Sequence, residues 1–170
     1  TRTATPGYYN TEAFEAFAKE KGLYAETING DAFSVECKEK TIQKIREDLG
    51  KVDMVIYSLA APRRTTPDGQ TYTSVLKPVG EAFTNLSWNA KDNSLTTVTL
   101  EPANEEEIAA TVKVMGGEDW MDWIEALHTA DVLSEDAVTV AYSYIGPELT
   151  YPIYKDGTIG RAKKNLKECS

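Results

Sequence analysis

The sequence predicts an α/β fold built on a parallel, doubly wound sheet, and three observations carry that prediction. Strand-like and helix-like runs alternate through the first half of the chain, joined by short connections. The run Val52–Ala60 (VDMVIYSLA) is almost continuously apolar and β-branched at its centre, as a strand covered on both faces is. The composition is that of a globular protein: of 170 residues, 41% are hydrophobic and 26% charged, enough to bury a core and too apolar for disorder.

Taken in order, Asn10 is placed to cap a helix running to about Lys21, with Phe14, Phe17 and Ala18 on one face and Gly22 as its stop. Leu23–Ile28 reads as a short strand closed by Asn29-Gly30-Asp31. Ser34 caps a second helix whose Ile42, Ile45 and Leu49 fall at helical spacing before Gly50. After Val52–Ala60 the alternation breaks. Between Arg63 and Leu100 stand Pro67-Asp68-Gly69, a Tyr72–Leu76 strand, polar Trp88–Ser94 and an alternating Leu95–Leu100, together read as an inserted β-hairpin region (63–100). Asn104 and Glu107 form a capping box for a helix to about Met115. Glu118–Ala130 is a further helix, with Trp120, Trp123, Ile124 and Leu127 on one stripe. Ala137–Tyr144 is a third sheet strand, and the stretch after Gly157 is a helix through Lys167.

Composition excludes several classes of function. A net charge of −9 argues against a nucleic-acid binder, and no apolar run reaches the roughly 20 residues that span a bilayer. The two cysteines, Cys37 and Cys169, lack CxxC spacing and fit a reducing cytoplasm. A single histidine, His128, leaves no multi-histidine metal site, and on the flank of its helix it reads as structural. Trp120 and Trp123 read as core, Cys37 as an inert helical thiol, and Glu105–Glu107 as acids favoured at a helix N-terminus.

In open α/β sheets ligands bind beyond the carboxyl ends of the strands. Three segments qualify: Asn29–Phe33, Ser58–Pro62 and the stretch after Tyr144. Asp31 could accept from an adenine amino group or merely satisfy backbone donors at a helix entry. The small residues of Leu59-Ala60-Ala61 suit either the approach of a ribose or a tight strand exit. The G-x-G-x-x-G fingerprint is absent, and Gly116-Gly117 and Gly157/Gly160 do not replace it.

Tyrosine with lysine is the remaining chemical pair, since a phenol can protonate an oxyanion and a nearby ammonium stabilises the phenolate. Two spacings are open. Tyr151-x3-Lys155 contains Pro152, which speaks against a helix there. Tyr154-x8-Lys163 on one continuous helix would separate the groups by about 180° and ~13 Å. It therefore predicts Tyr154 on a loop and Lys163 roughly one and a half turns into a helix, with Gly157 as the break. Both residue types are also common on protein surfaces, so spacing leaves the choice open.

Seven strings then point in one direction. Gly7-Tyr8-Tyr9-Asn10, Asn29-Gly30-Asp31-Ala32-Phe33-Ser34, Tyr57-Ser58-Leu59-Ala60-Ala61-Pro62-Arg63-Arg64, Leu76-Lys77-Pro78, Leu100-Glu101-Pro102-Ala103, Met115-Gly116-Gly117-Glu118-Asp119-Trp120, and Ile153-Tyr154 with Gly160 and Lys163 run through the whole chain. Together they resemble the bacterial V-type enoyl-acyl-carrier-protein reductases, also called trans-2-enoyl-CoA reductases. The resemblance implies a partial Rossmann-like parallel sheet, related to short-chain dehydrogenases, with the inserted hairpin and extra helices. It implies a monomeric, cytoplasmic, NADH-dependent enzyme that reduces enoyl thioesters of acyl carrier protein or coenzyme A in fatty acid biosynthesis. The family's Tyr-x8-Lys signature falls on Tyr154 as proton donor and Lys163 as its helper and cofactor ligand. Tyr144 is implied as a substrate contact, Asp31 and Ala32 as adenine contacts, and Leu59 and Ala60 as cofactor contacts. Tyr8 stands where the family usually has tryptophan. Lys155 stands where an aromatic residue often follows the tyrosine, which bears on chain-length preference.

The same pattern places a first strand and Gly-rich loop before Thr1 and the remaining sheet after Ser170. Residues 1–170 then read as a single, partial NAD-binding and catalytic domain, an internal fragment. By itself such a fragment is expected to lack the pyrophosphate cradle. The alternatives are a short-chain dehydrogenase acting on a carbonyl or alcohol through Tyr151 and Lys155, and a folded fragment without catalysis.

Overall fold

The structure is a computed structural model that describes residues 5–170. The chain divides into two compact units, Thr1–Asp31 and Ala32–Ser170.

The first unit holds helix α1 (Pro6–Glu20). The helix begins four residues before Asn10. Pro6 fits the first turn, where no N–H is needed, and the Thr5 side chain accepts from the Tyr8 N–H at 3.4 Å. Asn10 therefore lies inside the helix rather than capping it. Residues 23–29 form no strand. A strand exists only through a ladder with a neighbour, and apolar spacing reports propensity alone.

In the second unit Ser34 caps α2 (Val35–Asp48), its Oγ accepting from the Cys37 N–H at 3.1 Å. Gly50, at φ +76°, turns the chain into β1 (Val52–Tyr57). β1 pairs in parallel with β6 (Leu133–Ala141), in a register that brings Tyr57 opposite Ala141. β1 ends three residues before the expected Ala60, and β6 begins and ends earlier than Ala137–Tyr144. Each strand stops where its partner does, which no single segment reveals. The two-stranded parallel sheet with its added helices is the α/β arrangement the sequence predicts, but β1 is not covered on both faces, since Met54 and Ile56 are 56% and 54% exposed.

The inserted region carries two antiparallel hairpins rather than one. The first pairs β2 (Arg63–Thr65) with β3 (Thr71–Thr73), and the second pairs β4 (Phe83–Asn89) with β5 (Ser94–Leu100). Trp88, in a stretch read as polar, stands opposite Leu95.

The crossover from β1 to β6 runs through α3 (Glu105–Met115) and α4 (Glu118–Thr129). The capping box at the start of α3 is complete: Asn104 accepts from the Glu107 N–H at 2.8 Å, and Glu107 accepts from the Asn104 N–H at 3.0 Å. The chain ends in α5 (Tyr151–Tyr154) and α6 (Thr158–Cys169).

α6 buries Thr158, Ala162 and Leu166, the i, i+4, i+8 face of its helix. Leu166 packs with Tyr57 and Trp120, and Ala162 with Val114 and Met115. The α3–α4 junction lies against it closely, because any Cβ on Gly117 would meet the Cys169 side chain at 2.5–2.6 Å. The Gly117 N–H donates to Asn165 at 3.0 Å. The glycine pair is thus a helix-packing device.

Candidate active site

The parallel pairing of Tyr57 with Ala141 places the carboxyl ends of β1 and β6 at one edge of the sheet, so the segments that follow them share that edge. After β6 the chain turns at Gly146 (φ +69°), where a side chain would collide with Thr150 and crowd the Tyr154 ring. This turn brings the Tyr144 ring edge-on to the Tyr154 ring, with centroids 5.0 Å apart and planes at 85°.

Tyr154 is the last residue of α5, a one-turn helix, so the expectation of a loop position is corrected. Pro152 sits in the first turn of that helix, the place where proline is compatible with helical backbone. The break falls where the glycine suggests. Lys155 closes α5 and Gly157 caps α6; a Cβ on Gly157 would run into the carbonyls of Ile153, Lys77 and Pro152. The N-terminus of α6 is pinned to the segment before Pro78. The Thr158 N–H donates to the Lys77 carbonyl at 3.0 Å, and the Thr158 hydroxyl to the Val75 carbonyl at 2.5 Å. Gly160 lets the Lys155 carbonyl come so near that no side chain fits there.

Tyr144, Tyr154, Gly160 and Lys163 line one cavity of about 460 Å³, together with Ser143 and Ile145. Burial lowers the Lys163 pKa from the ordinary lysine value, because an ammonium loses hydration there. The folded state then holds the Lys163 proton less tightly than the unfolded chain does. That cost is fully present at neutral pH, and it fades as pH rises from the lowered value toward the ordinary ~10.4. Lys163→Met in the cofactor-free protein is therefore expected to raise the thermal midpoint at pH 7, with the gain shrinking toward pH 10. A lower midpoint at pH 7 would contradict this.

The competing pair is arranged differently. The Lys155 ammonium lies over the face of the Tyr151 ring, 4.4 Å from its centroid, and Tyr151 does not line the cavity. The phenol of Tyr154 and the ammonium of Lys163 offer O–H and N–H donors within one cleft. That donor set fits a ribose hydroxyl and a developing oxyanion.

Ala32 and Leu59 line a second, largely apolar cavity of about 360 Å³ with Ser58, Tyr57, Trp123 and Leu127. Ala60 is exposed beside it and does not line it, and Asp31 is exposed at the end of the first unit.

Behind this cavity lies a group that the sequence reading passed over. The Lys38 ammonium donates to Asp119 at 2.7 Å and to the Phe33 carbonyl at 3.1 Å, and the Tyr57 hydroxyl donates to Asp119 at 3.1 Å. Burial and the Asp119 carboxylate push the Tyr57 pKa far above the ordinary tyrosine range. Arg64, 2% exposed, donates to the Lys113 carbonyl at 2.9 Å and to Asp122 at 3.1 Å, and it lies 3.3 Å from Glu118 and 4.0 Å from Asp119. A sequence signal existed: Asp119 flanks the apolar stripe beside Trp120, and Arg64 ends the string that carries Leu59 and Ala60.

Comparison with known proteins places these features in a family. A family model described as the trans-2-enoyl-CoA reductase catalytic region matches residues 2–170. The trans-2-enoyl-CoA reductase (NADH) of Ruminiclostridium cellulolyticum is 54% identical over 98% of this chain and 42% of its own length. The enoyl-acyl-carrier-protein reductase (NADH) of Pseudomonas fluorescens is 58% identical over 97% of this chain and 42% of its own length. Among solved structures, the Clostridium acetobutulicum trans-2-enoyl-CoA reductase in complex with NAD superposes with a TM-score of 0.91 at 47% identity, covering 98% of this chain and 43% of that one. The chain thus spans about 42% of the length of the curated relatives it matches.

Proposed function

This chain belongs to the trans-2-enoyl-CoA reductase family, and we propose that the full-length protein reduces the 2,3-trans double bond of enoyl thioesters with NADH in fatty acid biosynthesis. Residues 1–170 contribute part of its Rossmann-like, short-chain-dehydrogenase-related NAD-binding and catalytic domain, with 63–100 as the inserted region. Monomeric state and cytoplasmic location follow from the same family pattern.

The observation that carries the reading is the sharing of one cavity by Tyr144, Tyr154 and Lys163, while Tyr151 of the competing pair lies outside it. Because Tyr151 does not line the cavity, a carbonyl reductase working through Tyr151 and Lys155 is disfavoured. Lys163 would hold the cofactor ribose, with Ala32, Leu59, Ala60 and Asp31 along the rest of the dinucleotide. When bound, NADH supplies the hydride that adds to the β-carbon of the substrate. The electron pair of the double bond moves toward the thioester oxygen, and the Tyr154 hydroxyl stabilises that oxygen and gives it its proton; the enol then takes a proton from water at Cα and releases the one on oxygen, which leaves the saturated thioester. The Lys163 ammonium favours the phenolate that remains, until solvent returns the proton. Tyr144, edge-on to Tyr154, bounds the acyl chain. Incubating the full-length protein with crotonyl-CoA and NADH is expected to consume both in equal amounts, and no consumption would refute the assignment.

The thioester carrier is acyl carrier protein or coenzyme A, and the end of the chain bears on which. Lys155, Lys163, Lys164 and Lys167 line the cavity, and exposed Arg161 stands on α6 with the last three. Lys164 approaches Glu168 at 3.8 Å, an exposed pair that leaves its charge largely available. An acidic carrier protein would be steered to this patch despite the net charge of −9. Lys164→Glu with Lys167→Glu is expected to raise KM for an enoyl-carrier-protein substrate and to spare crotonyl-CoA. The difference should shrink with added salt, because exposed charges are screened beyond ~10 Å at about 0.1 M. Equal effects on both substrates would return the lysines to a solvated helix face.

A further inference from the structure

The buried charges around Asp119 link the segments proposed to hold the dinucleotide, although none of them lines the catalytic cavity. Helix α4 reaches Ala32–Phe33 through two carbonyls. Trp123 donates its indole N–H to the Ala32 carbonyl at 3.1 Å, and Asp119 holds Lys38, whose ammonium donates to the Phe33 carbonyl. The same helix reaches both flanks of Ser58–Pro62. The Tyr57 hydroxyl donates to Asp119 on one side of that loop, and on the other Arg64 meets Asp122 and Glu118. The Phe33 and Trp123 rings close the cluster, lying beneath the Arg64 and Lys38 cations at 5.8 Å and 5.3 Å.

A buried ionic network is a poor source of stability compared with apolar residues of similar volume. Here the Arg64 Nε, among the described residues, finds no acceptor at all. What such a network supplies is fixed geometry. We propose that Trp123, with the Lys38–Asp119–Tyr57 chain, acts as a set of positioning residues that hold Ala32–Phe33 and Ser58–Pro62 at one spacing for the adenosine half of the dinucleotide. The inference rests on the cofactor assignment above. It adds that affinity for the adenosine half is set from α4, through the backbone segments that its side chains hold in place. Ala32, Leu59 and Trp123 already line one cavity, so the strut and the surface it supports are adjacent.

The test uses the full-length protein and ADP as a probe of the adenosine half alone. Trp123→Phe keeps an aromatic ring but removes the N–H that donates to the Ala32 carbonyl, together with one ring of the indole. The Kᵢ for ADP competing with NADH and the KM for NADH are expected to rise together by about five-fold, the equivalent of one ordinary hydrogen bond. kcat at saturating NADH and KM for crotonyl-CoA should stay unchanged. Unaltered ADP and NADH constants overturn the inference. So does a loss spread over kcat, both KM values and the thermal midpoint, which marks ordinary packing. If Trp123→Phe does not fold, Tyr57→Phe, which removes one hydroxyl at the other segment, is expected to give the same signature and decides in its place. A wild-type protein that binds neither NADH nor ADP overturns the cofactor assignment, whereas an active wild type with an indifferent Trp123→Phe overturns only the positioning role.

Discussion

Replacing Tyr154 by phenylalanine in the full-length protein is expected to lower kcat for crotonyl-CoA by about a hundred- to ten-thousand-fold, the range set by loss of a positioned general acid. NADH binding should persist, because the ring and the Lys163 ammonium remain. The ring also keeps its edge-on contact with Tyr144, so the variant changes one hydroxyl and little packing. Tyr151→Phe is the control. Tyr151 lies outside the cavity and under the Lys155 ammonium, and its phenylalanine variant should retain most activity. Single-turnover measurement of NADH oxidation separates the chemical step from product release. Full activity in Tyr154→Phe would remove the proton donor from the proposed mechanism, and a matching loss in Tyr151→Phe would transfer the role to the competing pair.

The second large effect concerns stability. Asp119→Ala is expected to destabilise the fold by about 3–5 kcal/mol, the usual cost of leaving a buried partner charge uncompensated. Its side chain is 0% exposed, and its removal strips Lys38 of its ion-pair partner and the Tyr57 hydroxyl of its acceptor. Asp122→Ala removes a carboxylate from the same cluster, but its side chain is 45% exposed, so solvent screening limits the cost to about 1 kcal/mol or less. Urea unfolding of the two variants side by side distinguishes them. Similar small shifts in both would mean that Asp119 is replaceable by water, and that the network is looser than its distances indicate.

Much of the fold was legible because its signals are local. Asn104 with Glu107, Ser34 before Val35 and Gly157 before Thr158 each announce a helix start through groups within one turn. Val52–Tyr57 declares itself as a strand by composition, although of its residues only Tyr57 is buried. The misreadings share a different cause. Residues 23–29 have strand-like residues but no ladder, and β6 is offset because its ends are dictated by β1, far away in sequence. Asn10 reads as a cap because asparagine is a strong capping residue, yet the helix starts at Pro6, behind Thr5. Tyr154 fell inside a helix because Pro152 occupies its first turn, a position that spacing rules treat as forbidden only in the interior. At the site, the Tyr154–Lys163 pair was readable as chemistry, whereas the burial of Lys38, Arg64 and Asp119 was passed over. Their burial arises only when α2, β1, β2 and α4 converge.

That convergence also constrains the order in which the chain can fold. Lys38 and Asp119 are separated by 81 positions, and Tyr57 and Asp119 by 62. Closing loops of such length carries an entropic cost that must be met before the contacts return anything. The capped helices and the β4–β5 hairpin need only neighbours in sequence, so they form first, with the three charged side chains still hydrated. Desolvation of Lys38, Arg64 and Asp119 then becomes a late step, coupled to the docking of β1 beside β6. Burying one of these charges without its partners would cost its desolvation with nothing gained in return, so collapse around the cluster is favoured only when its members arrive together.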